Sequence, residues 1–479
     1  MRILFTTQER PGYIGPPWLS PDQINCGPHY EDRIENGRVV ALRSPAGEYD
    51  FAEVLARIPP EQRPDLVVVR TDASRRNVPR NFDASGCRAV FAVVDTHHMA
   101  KPIQWALDYA RGEPFYAIMF QFTPHHAHFF IEAGLERVFY LPGFDLTPTA
   151  VPSNVQLDIP ISFVGTLDPR HARRSEVLRS LAAAGLPLLV THATPLQART
   201  LHARSRVNLN CSLNGDFNLR VFEVMASGGC LLTDRLSPQS GLERFFTDGK
   251  DLVTYESAAD CVDKARALLA DPRRSSQIAR AGKETLERRF SRKQIVGDFF
   301  ALLKENHVRP EFDLRNDRRT LLGREPDINK LKARIGLYEL LQAVHHGREY
   351  TRVLAAPGVD ARLLCDSVDL PRLGIAVDVT GSEGSASALE VILQSSEIVK
   401  QIDLLYEGGN LAERHFDLLL ATQKELGAGY DRKFRMRNPQ SLLMITDLAI
   451  DQAAPGMPDP AGWRRITNSA PIFQSVPAG

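Results

Sequence analysis

Three absences narrow this 479-residue chain before any motif is read. It has no surplus of charge, since 58 Lys and Arg residues balance 58 Asp and Glu. A neutral chain exerts no bulk pull on nucleic acid or an anionic membrane, so neither is expected as a partner. It has no apolar run long enough to span a bilayer. Met1-Arg-Ile-Leu-Phe-Thr-Thr7 is a strand's worth of apolar residues rather than a leader. It has no Cys-x-x-Cys pair: Cys26, Cys87, Cys211, Cys230, Cys261 and Cys365 are scattered, mostly in apolar surroundings. Reduced, buried thiols and a cytoplasmic location are expected. Tandem repeats and low-complexity blocks are also missing.

What the chain does have is short apolar runs alternating with helix-period segments. Strands are predicted at Ile3–Thr6, Leu66–Arg70, Ala89–Asp95, Tyr116–Phe122 and Val138–Leu141, then at Ile161–Gly165, Leu188–Thr191, Val207–Asn210, Cys230–Thr233 and Leu252–Tyr255. Runs apolar on both faces and separated by helices indicate parallel, doubly wound sheets. The reading is an α/β chain: a Rossmann-like domain over 1–150, another over 151–305, a connector over 306–328, a small α/β module over 329–451 and a loosely held tail over 452–479. The first two domains would face each other across a cleft, with ligands at the carboxyl ends of the strands.

The most informative stretch is Asn218-Leu-Arg-Val-Phe-Glu-Val-Met-Ala-Ser-Gly-Gly229, followed by the apolar run Cys230-Leu-Leu-Thr233. It reads as an Asn-capped helix, a glycine stop at Gly228 and a buried strand. A helix start offers N–H groups and partial positive charge to a phosphate. Arg220 adds a forked donor for phosphate oxygens. Glu223, one turn on, is acceptor-only and suits a pair of sugar hydroxyls. An amphipathic helix can also carry Arg and Glu three apart as a solvated ion pair. The placement after a strand and a polar loop, Ser212-Leu-Asn-Gly-Asp-Phe217, argues for a nucleotide or nucleotide-sugar.

This unit resembles the donor-binding segment of GT-B glycosyltransferases, group 1 and its CgeB-like branch, whose pattern is N-x-R-x-F-E-x-x-A-x-G. Asn218, Arg220, Phe222, Glu223, Ala226 and Gly228 match it. The likeness extends back to Ile161-Ser-Phe-Val-Gly-Thr166 and forward through Asp248-Gly-Lys-Asp-Leu-Val253 to Arg289-Phe-Ser291, covering residues 1 to about 305. It implies a GT-B fold and a hexosyltransferase that moves a sugar from a nucleotide-diphosphate donor to a glycan, polysaccharide or protein acceptor. It implies that Glu223 binds the donor ribose and that Arg220 with the Gly165-Thr166 turn contacts the diphosphate. Many group-1 retaining enzymes carry a second Glu eight positions earlier. Here that position is Gly215, with Asp216 beside it, a departure shared by the CgeB-like branch. Retention is still the expectation, with Asp216 as the substitute carboxylate. No Asp-x-Asp triplet is present, and a metal-independent reaction without cofactor is expected. A nucleotide-sugar-binding scaffold without turnover and a nucleotide-sugar epimerase are the rival readings.

Several further residues fit that chemistry. Asp95-Thr-His-His98 ends a predicted strand, so His97, His98 and Asp95 are candidates at the transferred sugar, the imidazole bonding a hydroxyl or taking a proton. Arg170-His-Ala-Arg-Arg174 places cations at a helix start, against the dipole, and Arg170 or Arg174 is a candidate for the diphosphate. Trp18, in a Gly- and Pro-rich loop, and His125, at a helix start, are candidates on the acceptor side. The His125-His126-Ala-His128 run lacks companion ligands at zinc spacing, so no metal is assigned.

In the third region Leu331–His346 and Ala412–Leu426 read as helices, and Gly374–Val379, Ile402–Tyr406 and Leu442–Ile445 as strands. Val377-Asp-Val-Thr-Gly-Ser-Glu-Gly384 resembles a methyltransferase nucleotide loop, but the strands read here are too few for that fold. The module is therefore expected to recognise the acceptor or to form a homodimer.

Overall fold

A computed structural model describes residues 1–11, 18–97, 99–146, 155–168, 171–305, 314, 323–346, 348, 350–356, 358–378, 402–405, 415–427, 434, 442–446, 463–465 and 472–475. The chain divides into two compact units: Met1–Pro169 with Arg174–Leu314, and Arg170–Arg173 with Arg315–Gly479. Each is mixed α/β and built around parallel sheet.

The first unit holds two large sheets. Its strands are β1 (Ile3–Thr7), β2 (Ile24–Gly27), β3 (Arg33–Glu35), β4 (Arg38–Arg43), β5 (Gly47–Asp50), β6 (Leu66–Thr71), β7 (Asn77–Arg80), β8 (Arg88–Val93), β9 (Ala117–Phe120), β10 (Val138–Tyr140), β11 (Ile159–Val164), β12 (Leu188–Thr191), β13 (Ser205–Leu209), β14 (Leu231–Asp234) and β15 (Val253–Tyr255). The first sheet runs β10-β9-β8-β6-β1-β2-β4-β3 and is parallel except where β3 turns back on β4. Its central strands are buried along their length, as continuous runs such as Leu66-Val-Val-Val69 require.

The second sheet has the order β12-β11-β13-β14-β15, every pair parallel. Written by chain order this is 2-1-3-4-5, whose switch point lies between β11 and β13. Ile161, Phe163, Val207, Leu209 and Leu232 form its core with Val177, Leu181, Ala265 and Leu268 from the covering helices. The helices Pro272–Arg289 and Arg292–Glu305 follow, separated by Phe290 and Ser291.

The second unit differs more from expectation. Its strands are β16 (Thr351–Ala355), β17 (Leu373–Asp378), β18 (Ile402–Leu405), β19 (Leu418–Ala421), β20 (Leu442–Ile445), β21 (Trp463–Arg465) and β22 (Ile472–Ser475). They form one sheet of seven strands, β18-β17-β16-β19-β20-β22-β21. Residues 418–421, expected inside a helix, are instead a buried strand paired in parallel with β16 and β20. Four consecutive apolar residues carry no period that separates helix from strand, and burial between two neighbours decides it. Two tail segments expected to be loosely held supply β22, antiparallel between β20 and β21, and the edge strand β21. Among the described residues, no helix is long and apolar enough to cross a membrane.

Candidate functional site

The site is assembled at the switch point of the second sheet. Strand β11 ends at Phe163-Val164 and passes into Gly165-Thr166; the neighbouring β13 passes into Asn210-Cys211-Ser212. Two guanidinium groups converge on the Phe163 ring, Arg220 with its central carbon 4.8 Å from the centroid and Arg174 at 5.3 Å. Arg174 donates to the Thr166 carbonyl at 2.8 Å and to the Cys211 carbonyl at 3.1 Å, tying the two strand ends together. Arg220 donates to Asn210 Oδ1 at 2.9 Å. A ring face attracts cations, which lets two like charges share this place.

That placement is costly to the cation. The Arg220 guanidinium is pushed down to about 10, first by burial and then by the Arg174 charge, while Glu223 and Asp216 oppose the shift. An external anion would relieve what Asn210 and the Phe163 ring relieve only in part. Gly165 leaves the room: a Cβ at that position would collide with Arg220 Nη2.

The helix that carries Arg220 runs Leu219–Ala226. Asn218 occupies the N-cap position in extended conformation, but its side chain makes no capping bond. Instead its Nδ2 donates to Asn210 Oδ1 at 3.3 Å, and its own Oδ1 is buried without a partner among the described residues. The expectation of a side-chain cap is thus corrected: Asn210 takes the amide, and the helix start has no side-chain cap, the Val221 N–H bonding the Asn218 carbonyl at 3.2 Å instead. Gly228, at φ +75°, ends the helix in the left-handed region where a side chain is strained. Phe217 and Phe222 stack at 4.8 Å, and Phe222 meets Phe290 edge-on at 5.2 Å, which fixes the helix from behind.

Glu223 lies one turn beyond Arg220 and is partly exposed. Among the described residues its carboxylate accepts no hydrogen bond, burial raises its pKa, and the charges of Arg220 and Arg199 lower it. It is an acceptor with nothing bonded to it among the described residues, three residues from Arg220.

The polar loop after β13 reaches the first sheet. Its backbone is held by Asp234, which accepts from Ser212 N at 2.9 Å, and by Asp216, which accepts from Leu213 N at 2.8 Å. Phe217 N donates to the Phe122 carbonyl at 2.9 Å, and Asn214 Nδ2 to the His97 carbonyl at 3.3 Å. The His97 ring then lies between two carboxylates, with Nδ1 3.2 Å from Asp95 Oδ1 and Nε2 3.7 Å from Asp216 Oδ2. Its side chain is only 6% exposed.

The remaining candidates fall as follows. His98 and Arg170 lie outside the described residues. Trp18 is 45% exposed, and its carbonyl accepts from Arg292 at 3.0 Å. His125 is buried against His126, ring centroids 4.2 Å apart, rather than open to a ligand. His126 bonds Thr96 at 2.8 Å, and that hydroxyl meets Thr123 at 2.5 Å. The His126 bond thus holds Thr96, the residue between Asp95 and His97. Among the described residues, no group of three or more His, Cys, Asp or Glu could hold a metal ion.

Residues 173–301 match a family model described as glycosyl transferase-like. That span contains Arg174, Asn210, Asp216, Arg220 and Glu223. No curated protein matches the chain. Among solved structures, the chain is similar to sucrose-phosphate synthase from Thermosynechococcus elongatus, at 13% identity and TM-score 0.47, over 64% of this chain and 98% of that one. It is similar to Anabaena HepE, in complex with UDP and glucose, at 13% identity and TM-score 0.46, over 64% of this chain and 100% of that one. For S. aureus TarM, in complex with fondaparinux, alpha-GlcNAc-glycerol and UDP, the figures are 12% identity and TM-score 0.37, over 50% of this chain. The chain spans only 55% of that TarM chain.

Two contributors escaped the sequence reading. Phe163 looked like core, and Asn210 like the last residue of a strand, yet one carries both cations and the other orients Arg220. Asn210 left a signal, a polar side chain closing an apolar strand at a carboxyl end.

Proposed function

We propose that residues 1–314 form a GT-B glycosyltransferase, metal-independent and retaining, that uses a nucleotide-diphosphate sugar. The observation that carries this reading is the pairing of Arg174 and Arg220 over Phe163, with the unbonded carboxylate of Glu223 one helical turn away. Diphosphate oxygens take the two guanidiniums and the uncapped helix start. The ribose hydroxyls take Glu223. The charge that develops on the departing diphosphate falls on groups already held in place by Asn210, Thr166 and Cys211, so little reorganisation is needed.

Transfer breaks the bond between the anomeric carbon and the phosphate oxygen and forms one from that carbon to an acceptor hydroxyl. On the retaining route the departing phosphate takes the acceptor's proton. His97, backed by Asp95, hydrogen-bonds the transferred sugar. Asp216, 3.7 Å from its other nitrogen, supplies negative charge near the anomeric carbon. His98 is assigned to the same end of the site, and Arg170, Thr166 and Gly165 to the diphosphate. Trp18 is assigned to a glycan or protein acceptor. The reaction is placed in the cytoplasm, and no separate cofactor is required.

The test is titration of the full chain with UDP-, GDP-, TDP- and CMP-sugars, followed by release of free sugar or transfer to a glycan. One donor should raise the melting temperature and turn over, and Arg220→Ala and Glu223→Ala should remove both effects. Binding without turnover on any acceptor would mean a scaffold, and a changed sugar nucleotide without acceptor would mean an epimerase. Binding unaltered by both substitutions would overturn the site itself.

A further inference from the structure

The geometry points to a second ligand site in the Arg315–Gly479 unit, for a nucleoside that carries positive charge and no phosphate, the S-adenosylmethionine class. This inference is independent of the glycosyl-transfer reading.

The sheet order supplies the location. Five strands run parallel in the order β18-β17-β16-β19-β20, which by chain order is 3-2-1-4-5. The chain reverses direction across the sheet between β16 and β19, and such switch points hold ligands outside the carboxyl ends of the strands. The register aligns those ends: Ala355 pairs with Val377 and Leu420 with Ala355, while Asp378, the last residue of β17, pairs with Leu405. Asp378 stands twenty residues after Gly358 of the first turn. In doubly wound nucleotide folds that spacing and strand end belong to the acid that takes the ribose hydroxyls.

The chemistry at the two loops excludes a phosphate. In a dinucleotide site the first turn is glycine-rich and turns its N–H groups toward the pyrophosphate. Here the sequence after β16 is Ala356-Pro-Gly-Val-Asp360, with a proline that brings no N–H. The Gly358 N–H is given to Glu425, whose other oxygen accepts from Thr422 N at 2.8 Å and Thr422 Oγ1 at 3.1 Å. A Cβ at Gly358 would come within 3.0 Å of that carboxylate. The Val359 N–H bonds the Ala356 carbonyl at 3.1 Å, and the Asp360 carboxylate accepts from Arg362 N at 2.8 Å. The donors that would receive a phosphate are spent, and carboxylates stand in its place. The contrast with the β11–β13 switch point, where two guanidiniums converge, is one of sign. A sulfonium or ammonium group on an adenosine is attracted here, and a diphosphate is repelled.

Calorimetric titration of the full chain with S-adenosylmethionine and S-adenosylhomocysteine tests this, with NAD and UDP as phosphate-bearing controls. One-to-one binding of the first two is expected. It should be weakened about tenfold or more by Asp378→Ala and by Glu425→Gln, the latter keeping one oxygen to accept from the Gly358 or the Thr422 N–H. NAD should not compete, and Arg220→Ala should leave the titration unchanged. No binding of either sulfur nucleoside to a wild-type chain that melts cooperatively would overturn the proposal. So would competition by NAD, or binding indifferent to both unit-specific substitutions.

Discussion

Arg220 occupies the space in which a side chain on Gly165 would have to begin. The strand end must therefore be glycine for the guanidinium to lie over Phe163 and reach Asn210. Gly165→Ala should displace Arg220 while leaving both strands paired. We expect the affinity for a nucleotide-diphosphate sugar to fall by about tenfold to a hundredfold, the worth of a charge-assisted bond or two. The melting temperature should shift by only a few degrees. Titration calorimetry beside thermal unfolding checks this, and unaltered donor affinity would contradict it. Arg220→Lys should not rescue, because a point charge lacks the fork.

Glu223 gives a prediction of the opposite balance. Its carboxylate is desolvated and accepts no hydrogen bond among the described residues, a cost that the Arg220 and Arg199 charges offset only in part. Glu223→Gln should leave folding stability unchanged or raise it slightly, by about 0.5 kcal/mol. Affinity for a nucleoside diphosphate should drop about tenfold, and affinity for inorganic pyrophosphate should not. A parallel loss of both ligands would place Glu223 at the phosphates and refute the ribose assignment.

The Asp95–His97–Asp216 line joins residues from the two sheets of the first unit. Asp216→Asn keeps an acceptor for the Leu213 N–H, so the loop should hold its shape. It removes the negative charge near His97. A fall in kcat of about a hundredfold is expected with little change in donor KM, because the charge acts on the transition state rather than on binding. Steady-state kinetics with whichever sugar nucleotide turns over decides it. An effect on KM alone would mean that Asp216 merely positions the loop.

Much of this site was legible in the sequence because its parts are local. Asn218, Arg220, Glu223 and Gly228 sit on one helix, and helical spacing alone places their side chains relative to one another. Asp95 and His97 could be located because an apolar run ends there. What was missed depends on distant partners. Phe163 becomes a platform only when Arg174 and Arg220 arrive from other elements. Asn210 takes the Asn218 amide only because β13 ends beside that helix. The same holds for the fold. The strands Arg33–Glu35 and Gly47–Asp50 carry little apolar patterning and exist through their neighbours. Leu418–Ala421, a strand rather than a helix, creates the second unit's switch point beside β16. Short apolar runs are ambiguous until pairing is known.

His202 links this architecture to pH. It is buried beneath the Arg220 helix, with Nδ1 2.9 Å from Asn208 Oδ1. Burial pushes its imidazole down from 6.5 to about 4, with the Asn208 bond opposing and the Arg220 charge assisting. In the unfolded chain the ring takes its proton near 6.5, so between that pH and about 4 the unfolded state binds more protons than the folded one. The stability associated with neutral His202 is therefore complete above pH 6.5 and declines as pH falls toward 4, where both states are protonated and the decline stops. The full loss is about 3 kcal/mol. His202→Gln, which keeps a donor for Asn208 and cannot titrate, should be less stable than wild type at pH 7.5 and lose less on acidification. Melting curves of the two proteins at pH 7.5 and pH 4.5 supply the comparison. Parallel shifts would show that His202 is not the group whose protonation destabilises this sheet.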